Sequence, residues 1–486
     1  MHPFLLTHRV KSKGRRDFLF DIGTKLYPIS IRDQIIRGFM LADCAIKERI
    51  IGPDKPLLVV GAGAAGATAA MVAAQRGVRT TLIEAEDNAF KRQLPCDTRW
   101  ISPTNYDWPA EHWQQGRFPL RGVELPLSWT DGHAAAVALA WRTKLNKFVH
   151  RSPVMTFETE TTLENPKGLT ELDIDALGGQ VPVEFVDLGG HRIAGGPHRF
   201  AAIVSCIGVG RERTEAGRHG YEGIEFWQSD QLRTPDWGVA SNSRRRVLIS
   251  GGGDGALQDF LRVLTKYESV RDVYNRLPLG VRDAIEVAVR AAEETSLRSY
   301  LWNTTRYDCR SQHLLHQKCK EVVQGLVDSG ATYPDLQAAM DDILRGLPSE
   351  IDVTLSYPCT HFANCYPLNR VLVLLVSAYI KKRYGIEVLQ EHREIVDVES
   401  ADGHACRSVR SECLKKRHRV TFGVARCENI YNKEMKGGGG AMLEPAPYDL
   451  VLIRHGIDPP KNLFGRPPEA TNRHILPYYI DVDWYE

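Results

Sequence analysis

The chain has 486 residues, ten cysteines and a formal net charge of +2. Interspersed acids and bases argue against a broad nucleic-acid surface. Cysteines this sparse argue against a disulfide framework and for thiols in a reducing cytosol. The longest apolar run, Val371 to Ile380, is about half of the roughly 20 residues a membrane crossing needs, and the apolar stretch near Phe4 is too short for a secretory signal. The expectation is a cytoplasmic protein of two or three domains that acts on a small molecule, with no nucleic-acid or membrane partner.

Ser30 and Asp33 have the spacing of a capping box, and Ile31, Ile35, Phe39, Ala42 and Ile46 recur at helical spacing. They predict an amphipathic helix in a helical N-terminal extension, residues 1–55. Leu57 to Val60 then reads as a buried strand. It runs into Gly61-Ala-Gly63-Ala64-Ala65-Gly66, and Ala67 to Arg76 continues as a helix. A second strand, Thr80 to Ile83, ends at Glu84. Strand, Gly-x-Gly-x-x-Gly, helix and acid together make a complete dinucleotide fingerprint. The first glycine permits the turn, the second permits close approach of a pyrophosphate, and the third permits helix–strand packing. The helix N-terminus favours the anion, and the acid suits ribose hydroxyls. The expected ligands of this site are Gly61, Gly63, Ala64, Ala65, Gly66 and Glu84.

A Pro- and Trp-bearing loop follows from Lys91 to Trp113, then a helix from Ala134 to Val149 and a small meander from Gln180 to Gly208. Past a polar linker at Ser241, a second apolar run enters Gly251-Gly-Gly253-Asp254-Gly255-Ala256. Its helix extends through Leu264, and Val270 to Tyr274 is expected to be the next strand, ending near Arg276. Residues 281–347 turn helical, sheet-like patterning returns at Ile351 and Ile395, and Lys436 to Ala441 reads as a flexible glycine loop. Cys309, His313, His316 and Cys319, with Cys359, His361 and Cys365 downstream, raise a zinc hypothesis. Four ligands on one straight helix cannot close a tetrahedron, whereas two from the helix and two from the later cluster could; a packed helix face is preferred, and no metal is expected.

The order of these segments resembles the flavoproteins with two dinucleotide-binding domains, the thioredoxin reductase, disulfide reductase and flavin monooxygenase group. Phe200 to Gly208 and Tyr448 to Pro460 resemble the two strands that link the domains in that group. The resemblance implies an α/β fold of two Rossmann-like units: an FAD-binding unit at 56–240, an NAD(P)-binding unit at 241–460 with the helical insertion at about 281–347, and a tail at 461–486. It implies FAD on the first turn. It also implies NADPH (or NADH) on the second, held by Gly251, Gly253, Asp254, Ala256 and Arg276, where Arg276 is the remnant of a 2′-phosphate grip. The expected activity is hydride transfer from nicotinamide to flavin and on to a small substrate or oxygen.

The chain departs from that group in three ways. It reads Arg454-His455-Gly456 where the group has Ala-Thr-Gly, its tail lacks the closing Gly-Asp, although Asp481 and Asp483 lie near the end, and the insertion is large. These departures motivate a second reading, a nucleotide-binding sensor or scaffold without turnover. A third is a thiol–disulfide reductase using the lone Cys96, since no Cys-x-x-Cys redox pair is present. No other catalytic residue is assigned. The N-terminal helix and the insertion are the candidate surfaces for a protein partner, against a plain packing role, and homo-oligomerisation stays open.

Overall fold

The computed structural model describes residues 1–23, 30–109, 113, 125–193, 195–208, 210–217, 221–230, 232, 245–298, 309–329, 333–345, 351–362, 365–400, 418–424, 442–458 and 462–468. The Lys436–Ala441 loop and the tail carrying Asp481 and Asp483 lie outside them.

The fold is α/β and contains two parallel sheets of the same design. In chain order the first half supplies β1 (Leu19–Asp21), α1 (Ile31–Lys47), β2 (Leu57–Val60), α2 (Ala64–Gln75), β3 (Thr80–Ile83), α3 (Ala134–Arg151), β4 (Met155–Glu158) and β5 (Ala202–Ser205). Strands lie in the order β1-β5-β2-β3-β4, all neighbours parallel. β2 is four consecutive buried apolar residues, the pattern of a strand covered on both faces. The Ala-rich α2 is buried nearly all round, as a helix with no polar face must be.

The second half supplies β6 (Arg211–Glu212), β7 (Arg245–Ser250), α4 (Asp254–Leu264), α5 (Val270–Asn275), α6 (Leu279–Arg298), α7 (Cys309–Asp328), α8 (Asp335–Ile343), β8 (Ile351–Ser356), α9 (Pro367–Tyr384), β9 (Leu389–Gln390), β10 (Arg393–Ser400), β11 (His418–Val424), β12 (Ala446–Tyr448), β13 (Leu450–Ile453) and β14 (Ile457–Asp458). Its parallel sheet has the order β9-β8-β7-β13. In both sheets the glycine-turn strand lies between its successor and the last strand to arrive, β5 or β13. β10, β11 and β12 form a separate antiparallel sheet ahead of β13. β6 and β14 pair antiparallel where the chain crosses from one half to the other and back. Phe464 then returns to the first core, buried with Phe18, Leu58 and Ile203.

Two expectations are corrected. Val270 to Tyr274 is the helix α5, not a strand: Ser269 caps it by accepting from the Arg271 N–H. The true successor of β7 is β8, beyond the helices of the insertion. The N-terminal segment, expected to be only helical, also contributes β1 to the first sheet, hydrogen-bonded in parallel beside β5. α1 begins where the capping box places it, with Ser30 and Asp33 bonded reciprocally. It crosses α2 closely because Gly38 has no side chain; a Cβ there would overlap the Ala65 carbonyl. No described helix is long and apolar enough to cross a membrane. The run Val371 to Ile380 lies in α9, which is buried along most of its length.

Candidate functional site

Both glycine turns open into one cleft of about 1500 Å³, lined by the C-terminal strand ends of the two sheets. The turns are built alike. Gly61 has φ +103° and Gly251 has φ +141°, and a Cβ on either would overlap the carbonyl of the residue following the last strand, Cys206 or Arg454 respectively. Gly66 faces the Gly61 carbonyl with no room for a side chain, so it serves helix–strand packing. Ala256, fully buried, stands at the corresponding place in the second turn.

Gly63 and Gly253 differ from these. Each is the N-cap of its helix with ordinary extended backbone, φ −73° and −92°. A Cβ built on either meets nothing within 4 Å. No described neighbour demands glycine at these two positions. Both face the cleft, where bare backbone admits a ligand to the amides of a helix N-terminus.

Glu84 stands at the end of β3 and lines the cleft. One carboxylate oxygen accepts from the Ala62 N–H at 2.6 Å and the other from the Glu86 N–H at 3.1 Å. The acid is therefore pinned against the first turn. Ala64 and Ala65 line the cleft beside it. The N-terminal segment reaches the cleft too, through Ser30, Ile31 and Gln34 of α1. Below them Asp33 accepts from the Tyr366 hydroxyl at 2.7 Å, which ties α1 to the start of α9 in the other half. Arg32 pairs with Asp33 at 3.1 Å and with the buried Asp107.

Asp254 also lines the cleft, but its carboxylate accepts from the Tyr366 N–H at 2.9 Å and from Asn369 Nδ2 at 2.8 Å. It therefore anchors the N-terminus of α9. Burial pushes its pKa up to about 6, against the hydrogen bonds from Asn369 and Tyr366.

A buried ionic network knits the two halves behind the cleft. Asp259 of α4 pairs with Arg99 from the first half, with Arg454 at 2.8 Å and with Arg262 at 3.3 Å. Asp230 receives Arg262 at 2.8 Å and Arg99 at 3.2 Å. Burial alone would raise the Asp259 carboxyl, yet Arg99, Arg454 and Arg262 together hold it well below the usual carboxylate range. The unexpected Arg454 is thus a structural cation paired with a buried carboxylate. Its guanidinium and that of Arg99 lie over the Phe226 ring, 5.9 and 4.1 Å from the centroid. His455 bonds Ser250 Oγ through Nε2 at 2.8 Å, and burial lowers its pKa.

Two further expectations are corrected. Arg276 caps α5 with its guanidinium over Tyr267, 5.1 Å from the ring centroid, and does not line the cleft. The strand it was expected to follow is a helix, so the turn geometry that would aim it at a ribose is absent. Cys96 is fully buried, it does not line the cleft, and its thiol contacts the Gln228 carbonyl at 3.8 Å. Burial raises its pKa despite nearby Arg99, which opposes thiolate formation.

Among the described residues no group of three or more His, Cys, Asp or Glu is arranged to hold a metal. His316 is buried against Arg370, Nδ1 to guanidinium 3.3 Å. His313 packs edge-on to His361, 5.7 Å between centroids. Of that helix face, His316 and Cys319 are buried.

Comparison with known proteins adds similarity at long range. Residues 56–104, from β2 through the first turn and Glu84 to the following loop, match the family described as glucose inhibited division protein A. No curated protein matches the chain. Among solved structures, a bacillithiol disulfide reductase from Bacillus cereus aligns over 83% of this chain and 78% of that one, at 11% identity and TM-score 0.38. A Lactococcus lactis thioredoxin reductase aligns over 86% and 83%, at 10% identity and TM-score 0.36. A T. acidophilum thioredoxin reductase aligns over 84% and 79%, at 10% identity and TM-score 0.34.

Proposed function

We propose that the protein is an FAD-dependent oxidoreductase that takes reducing equivalents from a nicotinamide dinucleotide held in the same cleft. The observation that carries this reading is the pair of N-cap glycines, Gly63 and Gly253, which no described neighbour requires and which face one shared cavity. Gly61, Gly63, Ala64, Ala65 and Glu84 would hold FAD, with Glu84 accepting from ribose hydroxyls. Gly251, Gly253 and the N-terminus of α4 would hold the nicotinamide dinucleotide. When both are bound, the cofactors supply hydride chemistry between nicotinamide and flavin.

The chain's own residues position and shield. Gly61 and Gly251 set the turns, and the Asp259 network fixes the two halves on either side of the cleft. Phe226 and Trp227 contribute apolar surface to the lining of the cleft. The pairing of Arg454 with the buried Asp259 gives that cation a structural role and lessens the objection that it would disturb a cofactor there. It weakens the case for a sensor or scaffold that kept the fold and lost turnover. The burial of Cys96 removes that residue as the nucleophile of the thiol–disulfide reading.

The test follows from the geometry. Gly63→Val places its Cβ in open space on an allowed backbone, so the melting temperature of the protein freed of ligand should stay nearly unchanged, while FAD affinity falls by about a hundredfold. Gly253→Val should do the same for nicotinamide dinucleotide and leave FAD bound. Fluorescence titration of both variants checks this. Unchanged affinities in both would refute the reading.

A further inference from the structure

Reassigning the second strand of the second sheet relocates the place where a bound adenosine ribose would be read. In a Rossmann unit that place lies past the end of the strand following the glycine turn. Here the strand is β8, in parallel register with β7 so that Ser250 faces Ser356. Its end runs Ser356-Tyr357-Pro358-Cys359 and presents no carboxylate of its own. Arg393, at the start of β10, is fastened to this end: its backbone N–H donates to the Tyr357 carbonyl at 3.0 Å. Arg393 lines the cleft half-buried, with its guanidinium 5.7 Å from the centroid of the Phe422 ring.

The other described cations lining the cleft are engaged. Lys91 pairs with Asp87, Arg99 and Arg454 with Asp259, Arg211 with Glu222 and Arg213 with Asp458. Arg92 donates to the Gly210 carbonyl at 2.9 Å. Arg393 has no carboxylate partner among the described residues, although its neighbour Glu394 also borders the cleft. A guanidinium held by its backbone and its ring contact, with its donor edge uncommitted, matches a phosphate.

Resting on the reading of the second turn as a dinucleotide site, we propose that this site selects a 2′-phosphorylated adenine dinucleotide and that Arg393, not Arg276, is the residue that grips the 2′-phosphate. Calorimetric titration of the full-length protein with adenosine 2′,5′-bisphosphate and with adenosine 5′-monophosphate tests it without requiring turnover. Wild type should bind the bisphosphate about tenfold to a hundredfold tighter. Arg393→Ala should erase that preference while leaving the monophosphate affinity unchanged, and Arg393→Lys should retain part of it. Arg276→Ala should change neither. Equal affinities in wild type, or a preference that survives Arg393→Ala, would overturn the assignment. If neither nucleotide nor ADP-ribose binds wild type, the dinucleotide reading of the second turn fails first and this assignment falls with it.

Discussion

Deletion of residues 1–23 is expected to abolish cooperative folding of the first half of the molecule. β1 is an interior strand of the sheet, paired in parallel with β5 on one side and antiparallel with Arg9–Val10 on the other. Its neighbourhood feeds both faces: Phe18 and Leu19 are buried with Leu58 and Ile203, and Phe20 and Ile22 with the α1–α2 core. Burying an apolar side chain of this size contributes about 1.5–3 kcal/mol. Losing Phe18, Leu19, Phe20 and Ile22 alone would therefore forfeit about 6–12 kcal/mol, comparable to the roughly 5–15 kcal/mol that holds a domain folded. The deletion would also uncover one edge of β5 beside the first glycine turn. Circular dichroism melting and limited proteolysis check this. A deletion variant with an unchanged melting temperature would show that the segment is an appendage.

Asp259→Ala is expected to be the most damaging single substitution behind the cleft. The carboxylate is fully buried and faces Arg99, Arg262 and Arg454. Asp230 still pairs with Arg99 and Arg262, which leaves two guanidinium cations sharing one carboxylate and Arg454 with no remaining carboxylate among the described ion pairs. Removing one partner of a buried ionic cluster costs about 3–5 kcal/mol, because the other charge stays buried. The pH dependence has a defined sign. A carboxylate whose folded pKa is depressed contributes stability above its unfolded pKa, near 4, and that contribution is lost as pH falls towards the folded value. The variant should therefore lose most relative to wild type near neutral pH, and the gap should narrow in acid. Thermal melts of wild type, Asp259→Ala and Asp259→Asn across pH 3–8 read it out. A constant gap across that range would mean that packing, not charge, sets the cost.

The local signals in the sequence were strong where one short segment carries the whole physics. The four apolar residues before Gly61, the Ala-rich stretch after it and Glu84 past Ile83 are consecutive, and strand, helix and acid stand as their spacing predicts. The capping box at Ser30 and Asp33 is equally local. Failures came where tertiary context decides. Val270 to Tyr274 has the residue types of a strand, but the Ser269 cap and burial against the insertion make it a helix. That one reversal carried the ribose-reading position to Arg276, although the sheet-like return at Ile351 already marked the true second strand. The role of β1 was illegible for a different reason: it joins the sheet beside β5, a strand far along the chain, and only the folded register shows that pairing. Arg454 reads as an anomaly in sequence because its partner, Asp259, lies on a helix that spacing alone cannot orient towards it.

If FAD and a nicotinamide dinucleotide meet in the cleft between the glycine turns, the bound flavin should accept hydride there. The most direct test is an anaerobic titration of the purified protein, reconstituted with FAD, followed in the visible spectrum as NADPH is added. Flavin bands should appear on the protein and bleach with about one equivalent of NADPH. A protein that refuses FAD, or one whose bound flavin keeps its absorption in excess NADPH and excess NADH, would contradict it.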